Sequence, residues 1–118
     1  MSKKNRDLES LIDIYNAGTE IAIFIDRVDK QDFQLDKQKI NATLYSLQII
    51  GESTKRLSAE FRQANSYIPW RDMAGMRDKI VHDYNETDLD IVWDVATQEI
   101  PKLLEQIKNF LPKEPKAP

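Results

Sequence analysis

The sequence contains no cysteine and a single histidine, His82. Without cysteine the chain has no disulfide framework and no thiolate for catalysis or metal binding. A structural zinc site needs about four Cys or His ligands, so one histidine excludes that class of site. A Ser-His-Asp triad remains formally possible, and any chemistry that uses histidine has to run through His82.

Glycine and proline are also scarce, at three and five residues, which is too few for a loop-rich or low-complexity chain. The longest strictly apolar run is Ile21 to Ile25, whereas a membrane-spanning helix needs about 20 such residues. The N-terminal residues are polar and do not resemble the apolar core of a signal peptide. With 118 residues, 41% of them apolar and 31% charged, the chain fits a soluble cytoplasmic protein that does not associate with membranes.

Apolar residues recur at steps of three and four along most of the chain, which is the spacing of one face of an α-helix. We find no strand alternation and no internal repeat, and therefore predict an all-α, up-and-down bundle of four to five helices. We expect residues 1–111 to form a single helical domain and the Pro- and Lys-rich residues 112–118 to be a disordered tail. The first helix carries two parallel stripes, one with Leu8, Leu11, Tyr15, Gly18, Ala22 and Ile25, the other with Ile14, Ala17, Ile21, Phe24 and Val28.

This double stripe gives the first helix an apolar face wider than a surface helix requires. The helix is therefore predicted to pack on more than one neighbour. It could be the central helix of a bundle, or it could also face a second subunit, and the sequence does not separate these alternatives.

Polar residues predict where helices begin and end. Residues 29–36 interrupt the apolar pattern, and Asp36 can cap the helix that follows, because its carboxylate accepts first-turn N–H groups. Thr87, with Asp90 three residues later, resembles a capping box.

Glycine and proline mark three further positions. Gly51 lies inside a predicted helix, where it costs about 1 kcal/mol relative to alanine, and close approach by another backbone would compensate. Pro69 fits the first turn of a helix that continues to Tyr84. Pro101 is expected to kink or restart the last helix.

Charge is distributed unevenly along the chain. From Lys55 to Lys79 there are six basic and three acidic residues, a net of +3, and from Ile80 to Glu105 seven acidic residues and one lysine, a net of −6. The first segment could attract a polyanion that the second would repel. Ordinary solvated helix faces would produce the same pattern.

The residues best suited to chemistry lie between Met76 and Tyr84. On a helix, Asp78 and His82 are i and i+4, so they share a face and can hydrogen-bond, which would fix the His82 tautomer and favour its protonated form. Arg77 and His82 are about 140° apart on an ideal helix. Either the helix is distorted near His82, or two subunits of a two-fold dimer form a composite cleft.

Such a site could act on RNA. His82 could be the general base for the ribose 2′-hydroxyl or the acid for the leaving 5′-oxygen, and Arg77 could hold the scissile phosphate. Because the nucleophile belongs to the substrate, no metal is needed. The plain alternative is a surface ion-pair cluster closing a helix, where the helix dipole favours a histidine.

The order of residues around this stretch resembles the HepT toxin family of the HEPN superfamily. The pattern Arg77-x4-His82-x-Tyr84 matches the family's Arg-x4-His-x-Tyr motif, and the similarity extends roughly from Arg6 to Leu111. The other matching segments are Ile50-Gly51-Glu52, Ile68-Pro69-Trp70, Ala74-Gly75-Met76-Arg77-Asp78-Lys79, Asp90-Ile91-Val92-Trp93 and Ile100-Pro101-Lys102-Leu103.

The resemblance implies an all-α HEPN fold that forms a homodimer through helix faces near the motif. It implies a metal-independent endoribonuclease toxin of a type II-like toxin–antitoxin system. Arg77 and His82 would be catalytic and Asp78 supporting, with RNA as substrate, no DNA expected, and no cofactor or metal for cleavage. The family's partner is an MntA-type minimal nucleotidyltransferase, the antitoxin, which transfers AMP from ATP to the motif tyrosine, here Tyr84. Adding nucleotide beside His82 would place bulk and negative charge where the RNA phosphate must sit.

Two other functions remain open at this stage. The protein could be a non-catalytic nucleotide-binding partner of a minimal nucleotidyltransferase. It could also be a helical adaptor that uses the wide apolar face of its first helix.

Overall fold

The computed structural model describes residues 2–80 and 86–113, with the backbone alone at Arg77. Within those ranges the chain is helical and contains no β-sheet, which confirms the predicted all-α bundle. None of the helices in those ranges has the length and apolar character needed to cross a bilayer. The elements are α1 (Lys3–Ile25), α2 (Lys30–Leu35), α3 (Lys37–Lys55), α4 (Ala59–Ala64), α5 (Trp70–Ala74), α6 (Met76–Ile80), α7 (Leu89–Asp94), a π-helical turn (Val95–Glu99), α8 (Ile100–Ile107) and a 3₁₀ turn (Lys108–Phe110).

Helix α1 is the centre of the bundle. It packs along α3 on one side and on α8 and the π-helical turn on another. At Gly18 the approach of α8 is so close that an added Cβ would lie 2.7 Å from Leu104 Cδ2 and 3.3 Å from Ile100 Cγ2. The predicted packing of the first helix on more than one neighbour is therefore confirmed, whereas contact with a second subunit stays a prediction. Its buried apolar face consists of Leu11, Ile14, Ala17 and Ile21.

A buried carboxylate at the start of α1 forms hydrogen bonds with the start of α4. Asp7, only 8% exposed, accepts hydrogen bonds from the Ser58 backbone N–H (2.7 Å) and the Ser58 hydroxyl (2.7 Å). The same hydroxyl oxygen accepts from the Phe61 N–H at 3.1 Å and so caps α4. Since Ser58 follows the end of α3, this contact shows that α1 and α3 run antiparallel.

The polar stretch at residues 29–36 contains a short helix, so its prediction as an interruption was wrong in part. Asp29 caps α2 through the Asp32 N–H. Phe33 is fully buried and packs against Trp93, with ring centroids 5.3 Å apart. The helix could not be predicted from apolar spacing, because Phe33 is a single buried residue and Trp93, which covers it, lies 60 residues away in sequence.

Two capping predictions had different outcomes. Asp36 caps α3, as predicted, by accepting from the Lys39 N–H at 3.1 Å. The capping box predicted at Thr87 was wrong by one residue, because Asp88 is the cap of α7 and accepts from the Ile91 N–H at 3.1 Å.

The last helical region restarts near Pro101, as predicted. The Ile100 N–H bonds to the Val95 carbonyl, five residues back, and Pro101 lies within the first two residues of α8. Proline has no N–H and its ring crowds the carbonyl four residues earlier. The π-helical turn Val95–Glu99 just before Pro101 is the local adjustment of the backbone at this proline.

Candidate active site

Helix α6 carries the first half of the predicted catalytic motif. Met76 and Ile80, 2% and 1% exposed, hold this short helix against the core. The backbone of Arg77 lies between these anchors, and Asp78 is exposed. The position of Arg77 is therefore set by buried residues on both sides of it.

Helix α5 supports α6 from the N-terminal side. Trp70 and Met73 are buried, and the α5 backbone passes so near α3 that a Cβ on Gly51 would lie 3.4 Å from the Met73 carbonyl oxygen and 3.5 Å from that of Ala74. Another backbone approaches Gly51, as predicted, at a distance where an alanine Cβ would make ordinary contact. A larger side chain at this position would displace the helix before the motif.

The continuous helix predicted from Pro69 to Tyr84 is wrong over its described part, because the chain breaks at Gly75. The Gly75 N–H donates the last hydrogen bond of α5, to the Arg71 carbonyl at 3.0 Å. The Gly75 carbonyl in turn accepts from the Asp78 N–H at 3.0 Å, where α6 begins. Gly75 has φ −92° and ψ 9°, close to the end of the α region, where a helix is easily interrupted. Pro69 is the N-cap of α5, one residue before the predicted first turn.

The second half of the motif lies between two fixed points of the backbone. The Asp88 N–H donates to the Ile80 carbonyl at 3.0 Å, so the two ends of this segment lie next to each other. His82 and Tyr84 lie outside the described residues, as do their predicted relations to Asp78 and Arg77.

Charged and polar contacts join α7, the helix that follows the motif segment, to α2. The Lys30 ammonium lies 2.9 Å from the Asp90 carboxylate, and the Gln34 amide donates to the same oxygen at 2.9 Å. Hydrogen bonding from Lys30 and Gln34 lowers the pKa of Asp90, and the bond to Asp90 raises the pKa of Lys30. Both groups are exposed, so the pair contributes little to the free energy of unfolding. Its main effect is to fix the position of α7 relative to α2.

The basic segment predicted from the sequence is partly neutralised in the fold. Arg56 pairs with Asp13 at 3.5 Å, and Lys79 pairs with Asp72 at 3.6 Å across the α5–α6 joint. Arg62 and Arg71 make no ion pair with any described residue. The sequence alone did not distinguish these two arginines from the other basic residues of the segment with a net charge of +3.

A groove of about 630 Å³ lies at the other end of the bundle, between the start of α1, α4 and Phe110. Its floor is apolar, with Leu8, Leu11 and Phe61, and Lys3 at its rim pairs with Glu60 at 3.1 Å. None of the described residues that line this groove belongs to the motif. We therefore place the candidate active site at α6 and the segment that follows it.

Comparison with known proteins decides the family. The sequence profile of the HepT-like ribonucleases matches residues 14–110, a range that includes the whole motif. The chain belongs to this family. By that membership it is a ribonuclease of the HepT type. No solved structure matches the chain.

Three relatives illustrate the similarity. A candidate RNase of Caldanaerobacter subterraneus subsp. tengcongensis is 44% identical over 84 residues, covering 71% of this chain and 75% of the relative. A protein of Thermococcus cleftensis named "probable ribonuclease HepT" is 36% identical over 103 residues, covering 87% and 92%. A candidate RNase of Methanocaldococcus jannaschii is 32% identical over 107 residues, covering 90% and 92%.

Proposed function

We propose that this protein is the toxin of a type II-like toxin–antitoxin pair, a metal-independent endoribonuclease that an MntA-type nucleotidyltransferase neutralises by adenylylating Tyr84. The observation that carries the proposal is the match to the HepT-like ribonuclease family over residues 14–110, which contains the complete Arg-x4-His-x-Tyr motif. The structure adds that Arg77 lies on an anchored helix and that the segment with His82 starts and ends at one hydrogen-bonded point.

In the proposed reaction His82 takes the proton of a ribose 2′-hydroxyl as that oxygen attacks the adjacent phosphorus. The bond from phosphorus to the 5′-oxygen breaks, and the leaving oxygen receives a proton from the second His82 of a homodimer or from water. The products are a 2′,3′-cyclic phosphate and a free 5′-hydroxyl. Arg77 binds the non-bridging phosphate oxygens and stabilises the negative charge that builds up on them. Asp78 orients the imidazole of His82 by accepting its other N–H.

Cleavage is tested with purified, unmodified protein and RNA in the presence of EDTA. We expect cleavage by the wild-type chain and a fall of about 10²–10⁴-fold for His82→Ala, the range typical of a lost general acid or base. Arg77→Ala should cost about 10²–10³-fold, as when a transition-state donor is removed. Lys102→Ala is the matched control, because Lys102 is an exposed residue of α8, and this variant should cleave RNA like the wild type. A folded, unmodified wild-type chain that cuts no RNA, while ATP or the transferase binds it, would favour the non-catalytic alternative.

The composite site is tested by mixing two inactive variants. If one active site takes Arg77 from one subunit and His82 from the other, a heterodimer of Arg77→Ala and His82→Ala contains one intact site. Activity should then return on mixing, to about half of the wild-type value per heterodimer, because one of its two sites is intact. A mixture that exchanges subunits and stays inactive would place both residues of a site in the same subunit.

Adenylylation is tested with an MntA-type partner and ATP. Intact mass should rise by one or more AMP units for the wild-type chain and stay unchanged for Tyr84→Phe, and the modified protein should no longer cut RNA. Tyr45→Phe serves as the control, since Tyr45 is 66% exposed on α3. Modification that persists in Tyr84→Phe would assign the acceptor to another residue.

A further inference from the structure

A shallow groove of about 480 Å³ lies between α4, the 65–69 turn and the start of α5. Arg62 and Gln63 line it from α4, Ser66 from the turn, and Arg71 from α5. Among the residues that the structure describes, no acidic side chain lines the groove. In a chain with a net charge of −3, this is a local surface of opposite sign.

The two arginines of this groove have no acidic partner in the part of the chain that the structure describes. The Nε of Arg62 is buried and has no hydrogen-bond acceptor among the described residues, which is a costly arrangement. A guanidinium presents its donors in a rigid fork that fits phosphate oxygens. The groove is therefore suited to an anion with several oxygen acceptors.

The turn that lines this groove also carries an exposed aromatic residue. Tyr67 is 65% exposed and lies in sequence between Ser66 and Ile68, which line the groove, although Tyr67 itself is not a lining residue. The turn that carries it is braced, because the Asn65 carbonyl accepts from the Ile68 N–H at 3.1 Å and from the Trp70 indole N–H at 3.0 Å. Because the turn is held by these hydrogen bonds and the Tyr67 ring is exposed, an unpaired base can stack on the ring.

We propose that this groove binds single-stranded RNA, with phosphates on Arg62 and Arg71 and an unpaired base on Tyr67. The inference rests on the proposed ribonuclease function and extends it to a substrate-binding surface outside the motif. Arg71 lies on α5, which joins at Gly75 to the helix that carries Arg77. RNA bound in the groove would therefore lie beside the helix that leads into the active site.

Binding is measured by the fluorescence anisotropy of a 5′-labelled single-stranded RNA, in the His82→Ala chain to prevent cleavage, over a range of salt concentrations. The double variant Arg62→Gln/Arg71→Gln should weaken binding and reduce the slope of log affinity against log salt by about 1.4, at about 0.7 for each phosphate contact on a single strand. Tyr67→Leu should weaken binding at least about fivefold, the lower end for loss of one stacked base, and leave the salt slope nearly unchanged.

Matched controls separate these effects from net charge and from loss of any exposed ring. Lys37→Gln/Lys102→Gln removes the same charge from exposed positions outside the groove, and Tyr45→Leu removes a ring that is 66% exposed. Both controls should bind RNA like the parent chain. Thermal melts by circular dichroism confirm that each variant is folded.

The results distinguish this inference from the proposed function. If the wild-type chain cuts RNA but the groove variants bind RNA like their controls, the groove is not part of the RNA site and the ribonuclease proposal stands. If the groove variants lose affinity in the way described, the inference is supported. A folded wild-type chain that neither cuts nor binds RNA would overturn both proposals.

Discussion

The contact between Asp7 and Ser58 gives the sharpest test of how the bundle is held together. The change is Asp7→Ala, which removes two hydrogen bonds of 2.7 Å each from a residue that is 8% exposed. It leaves the Ser58 N–H without its acceptor, and it loosens the hydroxyl that caps α4. The expected result is a large loss of stability from a single polar residue.

The size of the loss follows from the geometry. A hydrogen bond to a charged group contributes about 1.5–3 kcal/mol, but the two bonds share one carboxylate and one serine and are not fully additive. We therefore expect Asp7→Ala to lower the free energy of unfolding by about 2–4 kcal/mol. At about 4 °C per kcal/mol for a chain of this length, the Tm should fall by about 8–16 °C.

The assay is urea and thermal unfolding followed by far-UV circular dichroism. Asp13→Ala is the control, because Asp13 is an exposed partner of Arg56 at 3.5 Å, and an exposed pair contributes less than about 1 kcal/mol. In a double-mutant cycle, Asp7→Ala and Ser58→Ala should be coupled by at least about 0.5 kcal/mol. Equal and small losses for Asp7→Ala and Asp13→Ala, or no coupling to Ser58, would refute the reasoning.

Three further predictions use the same unfolding assay. Gly51→Ala should change stability by no more than about 1 kcal/mol, since its Cβ makes ordinary contact at 3.4 Å and alanine favours a helix, whereas Gly51→Leu should cost about 1–3 kcal/mol by displacing α5; equal effects would contradict the close approach. Phe33→Ala should cost about 3–5 kcal/mol because the ring is fully buried, and a loss under about 1 kcal/mol would show that it is not. Since the pKa of Asp90 is lowered by Lys30 and Gln34, its stabilisation is present above the ordinary carboxyl pKa and fades as pH falls through the lowered value. Asp90→Asn should therefore show a smaller loss of stability on acidification than the wild type, and an identical acid profile would argue against the pairing.

Local signals predicted the parts of the fold that depend on local geometry. The apolar spacing identified the long helices, Asp36 was recognised as a cap, and Gly51 was recognised as a point of close approach. What could not be predicted depends on partners far away in sequence. Phe33 makes α2 a packed element only because Trp93 covers it, and no window around residues 29–36 contains that information.

Other errors arose where two neighbouring residues offer the same chemistry. Thr87 and Asp88 are both good N-caps, and the choice between them depends on where the backbone returns from the motif segment. Gly75 lies inside the continuous helix that was predicted from Pro69 to Tyr84, but in the described chain it ends α5. A single glycine does not show from sequence whether a helix passes through it or stops.

For the candidate site, the sequence supplied residue identities and their order but not their distances. Arg77, Asp78, His82 and Tyr84 were selected from one stretch, and the family match covers all four. The groove with Arg62 and Arg71 was missed because these residues are nine positions apart on different helices. Their common surface and their lack of acidic partners exist only in the folded chain.

The hydrogen bond between the Ile80 carbonyl and the Asp88 amide has a consequence for how this protein can diverge. The seven residues between these two contain His82 and Tyr84, and the hydrogen bond joins the ends of that segment. A longer segment between two joined ends costs little additional closure entropy. We therefore expect related chains to differ in the length and sequence of this segment while the backbone at Ile80 and Asp88 keeps its position.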